Sequence, residues 1–208
     1  LFVAGEDSGG VHGANRLGGN GVANSTVYGG IAGDAIAAWI RSEGELRDPD
    51  SATIEAAREW CERPMRRKAS THGSLEPLRE KLYATMWEKV GIIRDAAGLD
   101  AAIAELHAID RELDSQALAD SSRTFNLSWH DWMNLKNLVA TSRVIAEAAL
   151  ARKDSRGAHF REDFPQTGPL EASAFTSARL AGDALEISMK PVAFTRVRPG
   201  ESLLQEAA

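Results

Sequence analysis

The residues with the clearest capacity for chemistry stand close together near the start of the chain. His12, Asn15 and Arg16 lie among Gly9, Gly10, Gly13, Gly18, Gly19 and Gly21. Glycines so dense let a backbone bend tightly and approach a ligand with no Cβ in the way. Arg16 offers a planar fork of donors that matches a carboxylate or a phosphate. The segment that follows reads as a helix, and its free N–H groups and positive dipole end would aim at the same place. The stretch therefore reads as a site for an anionic group beside a large flat ligand. The plainer alternative is a tight glycine turn whose Arg16 pairs with Glu6 or Asp7.

Several elements must position this loop. Before it, Leu1-Phe2-Val3-Ala4 reads as the end of a buried strand, and no other parallel-strand candidate accompanies it. With no initiating Met, that pattern leads to the expectation of a C-terminal portion whose preceding domain is missing. After the loop, residues 24–41 carry Val27, Ile31, Ala35 and Ala38 at helical spacing. Gly29, Gly30 and Gly33 would each cost about 1 kcal/mol relative to Ala inside a helix, so a sheet or cofactor packed closely against them is expected.

Further along, residues 51–67 form a charged amphipathic segment with Ile54, Ala57, Trp60 and Cys61 on its apolar side. Pro64 should kink or end it. Arg63, Arg66, Arg67 and Lys68 read as a solvated face. Three longer helices are then expected. Ser74 caps one from Leu75 to Val90, with Leu78, Leu82, Met86 and Val90 in a stripe and Gly91 as the stop. The second covers residues 99–118, with Leu99, Ile103, Leu106, Ile109 and Leu113 buried. The third covers 128–153 and carries Trp132, Leu135, Val139, Ile145 and Ala149. Three such helices with short connections predict an antiparallel bundle, with Trp129 and Trp132 in packing roles.

The charged run 155–165 holds Arg156, His159, Arg161, Glu162 and Asp163, which reads as a buttressing ion-pair network, since such groups are costly to bury unpaired. Residues 174–180 and 185–190 alternate as strands around a Gly182-Asp183 turn, which predicts a hairpin. Residues 192–198 are a candidate third strand, and the end from Pro199 reads as frayed.

Composition narrows the classes. The chain has 208 residues, 43% hydrophobic and 26% charged, with a net charge of −6. That is enough to bury a core, and the acidic balance disfavours a nucleic-acid footprint. A single cysteine, Cys61, allows no internal disulfide and no thiolate metal cluster, which points to a reducing cytoplasm. No run of about 18 apolar residues is present to span a membrane.

Gly5-Glu6 followed by His12-Gly13-Ala14-Asn15-Arg16-Leu17-Gly18-Gly19-Asn20 resembles the flavin-binding segment of the fumarate reductase and succinate dehydrogenase flavoproteins. Gly9-Gly10-Val11 and Gly21-Val22-Ala23 look most like the soluble, flavocytochrome-type fumarate reductases. Ser155-Arg156-Gly157-Ala158-His159 and the helices before it resemble the C-terminal helical domain of succinate dehydrogenase and L-aspartate oxidase. The resemblance implies FAD as cofactor and hydride transfer between flavin N5 and a dicarboxylate. It implies Arg16 as the holder of a substrate carboxylate, with His12 beside it as a second substrate-binding candidate. Glu6 would bond the ribityl region of FAD, and Gly21 and Val22 would approach the flavin ring at N1/O2.

The sequence departs from the family in having no Gly-x-Gly-x-x-Gly fingerprint and no capping domain, and succinate dehydrogenases have Ser-Leu-Leu where this chain has Gly21-Val22-Ala23. The fold expected is mainly α. A three-helix bundle (46–165) follows the end of an α/β FAD-binding domain (1–45) and precedes a β-hairpin tail (166–208). Taken alone, such a chain should bind FAD weakly and be inactive. Its expected partners are an electron-transfer subunit, the absent N-terminal domains and a dicarboxylate. The alternative is a helical docking module without catalysis of its own.

Overall fold

The computed structural model describes residues 2–45, 48–67, 74–118, 120–182 and 184–202. The expectations that fall on Leu1, Lys68, Asp183 and the tail beyond 202 lie outside the described residues. The chain divides into two units, residues 1–55 and 56–208.

In the first unit, Phe2–Ala4 are not part of a strand; they lead into a short 3-10 turn, Gly5–Asp7. A strand needs a hydrogen-bonded neighbour, and instead Phe2 packs edge-on against Trp39, ring centroids 5.8 Å apart. Helix α1 (Asn20–Glu43) starts four residues before the expected 24–41. Gly19 opens it in the left-handed region (φ 83°), a conformation that glycine adopts without a Cβ penalty. The packing expected over Gly29, Gly30 and Gly33 is not found: a Cβ at any of them would meet nothing within 4 Å. Val22, Val27, Tyr28 and Ile31 on the same helix are exposed as well.

The second unit is built on helices. Helix α2 (Ser51–Arg66) runs through Pro64, which is buried in its last turn, so proline does not end it. That ring sits where the helix is about to stop, and the Pro64 carbonyl accepts from the Leu118 N–H at 3.2 Å. Helices α3 (Glu76–Lys89), α4 (Ala96–Ser115) and α5 (Leu127–Ala151) form the expected bundle. Its core joins Leu78, Leu82, Leu99, Leu106, Ile109, Leu113, Trp132, Leu135 and Val139. The predicted stripes thus face inward, apart from Ile145, which is 44% exposed.

Caps fix the starts of α4 and α5. Asp95 Oδ1 accepts from the Gly98 N–H at α4 and Asn126 Oδ1 from the Trp129 N–H at α5. At α3 the expected cap Ser74 lies one residue too early: Leu75 holds the cap position with no side-chain cap, and Ser74 Oγ accepts from the Glu76 N–H. Trp132 packs against Trp60 and donates from Nε1 to the Leu113 carbonyl at 2.9 Å, and Trp129 donates to the Cys61 carbonyl. Arg63 and Arg66 lie on an exposed face as expected and are also paired: Arg63, with Arg67 just beyond the helix, faces Asp114, and Arg66 bonds Glu62.

Two small β-pairs complete the unit. Strands β1 (Ile93–Arg94) and β2 (Phe160–Arg161) pair parallel in a two-residue ladder that periodicity did not reveal. Strands β3 (Ala174–Ala181) and β4 (Ala184–Pro191) form the antiparallel hairpin, with Ala181 opposite Ala184. The third strand expected at 192–198 is absent among the described residues. One further bond, Val192 N–H to the Ser173 carbonyl, extends the pairing, and no neighbour continues it. Residues 198–201 close a turn in which Glu201 Oε2 accepts from the Arg198 N–H at 2.8 Å. Among the described residues no helix is long and apolar enough to cross a membrane.

Candidate functional site

Five residues singled out from the sequence line one cleft in the first unit: Glu6, His12, Arg16, Gly21 and Val22. The cleft has a volume of about 480 Å³, and Gly5, Ser8, Asn24, Ser25 and Thr26 complete its wall.

The 3-10 turn reaches α1 because Gly5 is a glycine. Its φ is +78°, and a Cβ there would lie 2.9 Å from Ser25 Oγ. The Gly5 carbonyl gathers three donors: the Ser8 N–H, Ser8 Oγ and Asn24 Nδ2. That anchors the turn to the first turns of α1. At the head of α1 no side chain caps the helix. The N–H groups of Gly21 and Val22 lie in its first turn, where no earlier helical carbonyl can reach them.

Arg16 lies across Gly21: a Cβ at residue 21 would overlap its guanidinium. Among the described residues Arg16 has neither an ion pair nor a hydrogen bond, so the alternative in which it pairs with Glu6 or Asp7 does not hold. His12 is half-buried, and its Nε2 meets Asn24 Nδ2 at 3.3 Å. Chemically, the cleft joins a free guanidinium fork, uncapped helix N–H groups and one carboxylate, Glu6. That set can grip an anion and hydrogen-bond a hydroxyl-bearing ligand.

Asn24 was missed from the sequence, where it reads as an ordinary helix-start residue. The available signal was spacing, because residues 21 and 24 lie on one helix face.

The charged run 155–165 is structural. Arg161 is 1% exposed. Its Nη1 donates to the carbonyls of Ala149, Leu150 and Arg152, the orphan acceptors at the end of α5. Its Nε and Nη2 grip Asp163 at 2.8 and 2.7 Å. Asp163 also accepts from the Ala96 N–H at the start of α4, and the Arg161 pairing holds its carboxyl below the usual range. His159 Nδ1 meets Arg94 Nη1 at 2.9 Å. Burial, then the charge of Arg94, push the His159 pKa down. Arg152 and Arg156 share Asp154.

The three-helix bundle with its hairpin is the architecture of a flavoprotein C-terminal helical domain. The model of the fumarate reductase flavoprotein C-terminal region matches residues 79–203, and the chain belongs to that family. It is 34% identical over 208 residues to the fumarate reductase flavoprotein subunit of Mycobacterium tuberculosis, covering 97% of this chain and 36% of that protein. It is 32% identical over 168 residues to the 8-methylmenaquinol:fumarate reductase flavoprotein subunit of Wolinella succinogenes, covering 79% of this chain and 27% of that protein. Among solved structures, the Mycobacterium smegmatis Sdh1 complex superposes with a TM-score of 0.84 at 30% identity, covering 92% of this chain and 32% of that one. The chain spans about a third of the length of the curated relatives it matches.

Proposed function

We propose that this chain is part of an FAD-dependent oxidoreductase that interconverts a dicarboxylate and its unsaturated form, of the fumarate and succinate type. The cleft of the first unit would be one wall of the flavin and substrate site. The observation that carries the reading is Arg16: a guanidinium at the cleft, held against Gly21, with no acidic partner among the described residues. An unpaired guanidinium beside an uncapped helix head is an anion site in search of its anion.

The residues present suit FAD. The cleft offers a glycine where a Cβ would obstruct, a carboxylate for a hydroxyl chain, and a buried acceptor, Asn24 Oδ1, with no hydrogen-bond partner. When bound, FAD supplies hydride exchange at N5. Glu6 would accept from ribityl hydroxyls. Gly21 and Val22 would present their N–H groups, and the positive end of the α1 dipole, to the N1/O2 edge where negative charge gathers on reduction. Arg16 would hold one substrate carboxylate, draw electron density from the adjacent carbon–carbon bond and fix the reacting carbon. His12 would lend a second hydrogen bond. A cytoplasmic setting fits the single unbridged Cys61. The names of the relatives as flavoprotein subunits support a separate electron-transfer protein as partner.

Alone, the chain should bind FAD weakly and turn over nothing, because the adenine and pyrophosphate would have no fingerprint loop to hold them. Flavin absorbance after gel filtration, with a fumarate reduction assay, tests this. Tight stoichiometric FAD with turnover would overturn the reading of an incomplete site.

A further inference from the structure

Asn24 sits one turn into α1, 6% exposed, in the wall of the cleft. Its Nδ2 donates to the Gly5 carbonyl at 3.3 Å and meets His12 Nε2 at 3.3 Å. The Gly5 carbonyl favours this orientation of the amide. Turned over, Oδ1 would face the Gly5 carbonyl, acceptor against acceptor. An amide nitrogen donates and does not accept. His12 Nε2 must therefore accept, and the ring carries its proton on Nδ1.

We propose that Asn24 is a positioning residue for the anion site: it fixes His12 so that Nδ1–H is the donor the ring offers to a dicarboxylate held by Arg16. This rests on the dicarboxylate reading above. With the ring in this state, a carboxylate beside His12 meets an N–H. In the other tautomer it would meet a lone pair, and two acceptors repel. A helix residue that touches no substrate thus decides whether the loop histidine attracts an anion or opposes it. The buried, unpartnered Oδ1 follows from the same arrangement. The amide is oriented by its donors, and its acceptor is left without a hydrogen-bond partner.

Nitrogen-15 NMR of the full chain reads which His12 nitrogen is protonated, with the ring assigned by a His12→Gln variant and succinate as the probe. Wild type should show an unprotonated Nε2. In the isosteric Asn24→Asp variant, Nε2 should become protonated, since a carboxylate accepts where the amide donated. In Asn24→Leu, which removes the donor without opening a cavity, succinate should bind roughly tenfold more weakly, the loss of about one hydrogen bond. A protonated Nε2 in wild type, or no movement of the proton in Asn24→Asp, overturns the proposal whether or not Asn24→Leu folds. If Asn24→Leu leaves the affinity unchanged while Arg16→Ala weakens it, the positioning role falls and the dicarboxylate reading stands. If succinate does not bind saturably, or binds equally well to Arg16→Ala, the dicarboxylate reading falls and takes the role with it.

Discussion

At the scale of single residues, the cleft depends on two glycines for different reasons. Gly21 leaves space for the Arg16 guanidinium, and the atom that a new Cβ would meet is the far end of a flexible side chain. Gly21→Ala should therefore leave the fold intact while displacing Arg16. Succinate affinity should fall about tenfold, or about 1.4 kcal/mol, with an unchanged circular-dichroism melt. Gly5 is constrained by its backbone, at φ +78° and in close approach to Ser25. Gly5→Ala should cost about 1–3 kcal/mol of local stability, read as faster hydrogen exchange in the first turns of α1. Glycine density and one guanidinium single out the loop with His12 and Arg16, whereas Glu6, Gly21 and Val22 are named only through the family resemblance; all five line the cleft. Asn24 was not legible, because its work is done through Gly5 and His12, 19 and 12 residues away in sequence.

Among the elements, Arg161 holds the bundle together at one end. It joins the last carbonyls of α5 to Asp163, which in turn caps the start of α4. Arg161→Leu would orphan those buried carbonyls, and should destabilise the second unit by about 1–3 kcal/mol in chemical denaturation. Asn126→Ala removes the α5 cap, along with bonds to the Asp120 and Ser122 carbonyls, and should cost about 1–2 kcal/mol.

The same region sets an acid response. His159 is depressed by burial and by Arg94; the Arg152 backbone and Asp154 favour its charged form, and the Arg152 charge opposes it. The unfolded chain therefore binds more protons, and stability falls as pH drops below about 6.5. Asp163, lowered by Arg161, adds stability that is present above about pH 3.9 and lost as pH falls through its folded value. Denaturant midpoints across pH should show both limbs, and His159→Gln should remove the upper one alone.

Helices α3 to α5 were legible in their apolar stripes because a helix shows its buried face every third or fourth residue. The ladder of β1 and β2 was not, since two residues on each side carry no period. The start of α1 was hidden by Gly19 and Gly21, which read as loop and serve instead as a left-handed entry and a space for Arg16.

For the whole molecule, the two units differ in how fully they bury their apolar residues. The second unit has a closed core and contains the whole of residues 79–203, the stretch that the family model matches. The first offers the cleft and a helix whose Val22, Val27, Tyr28 and Ile31 stay exposed. The bundle was readable because α3 to α5 bury their apolar stripes, and the hairpin because two alternating strands flank the turn at Gly182. The cover expected over Gly29, Gly30 and Gly33 was inferred from helix propensity, which signals the need for a packing partner without supplying one.

Arg16 is proposed to make the cleft a carboxylate site. Titration of succinate into the wild-type chain and into Arg16→Ala, followed by NMR shifts of the residues lining the cleft, tests it most directly. Weak saturable binding centred on residues 5–26 is expected in the wild type, with a loss of at least about tenfold in the variant. Equal affinity in the two proteins, or shifts that gather elsewhere, would contradict it.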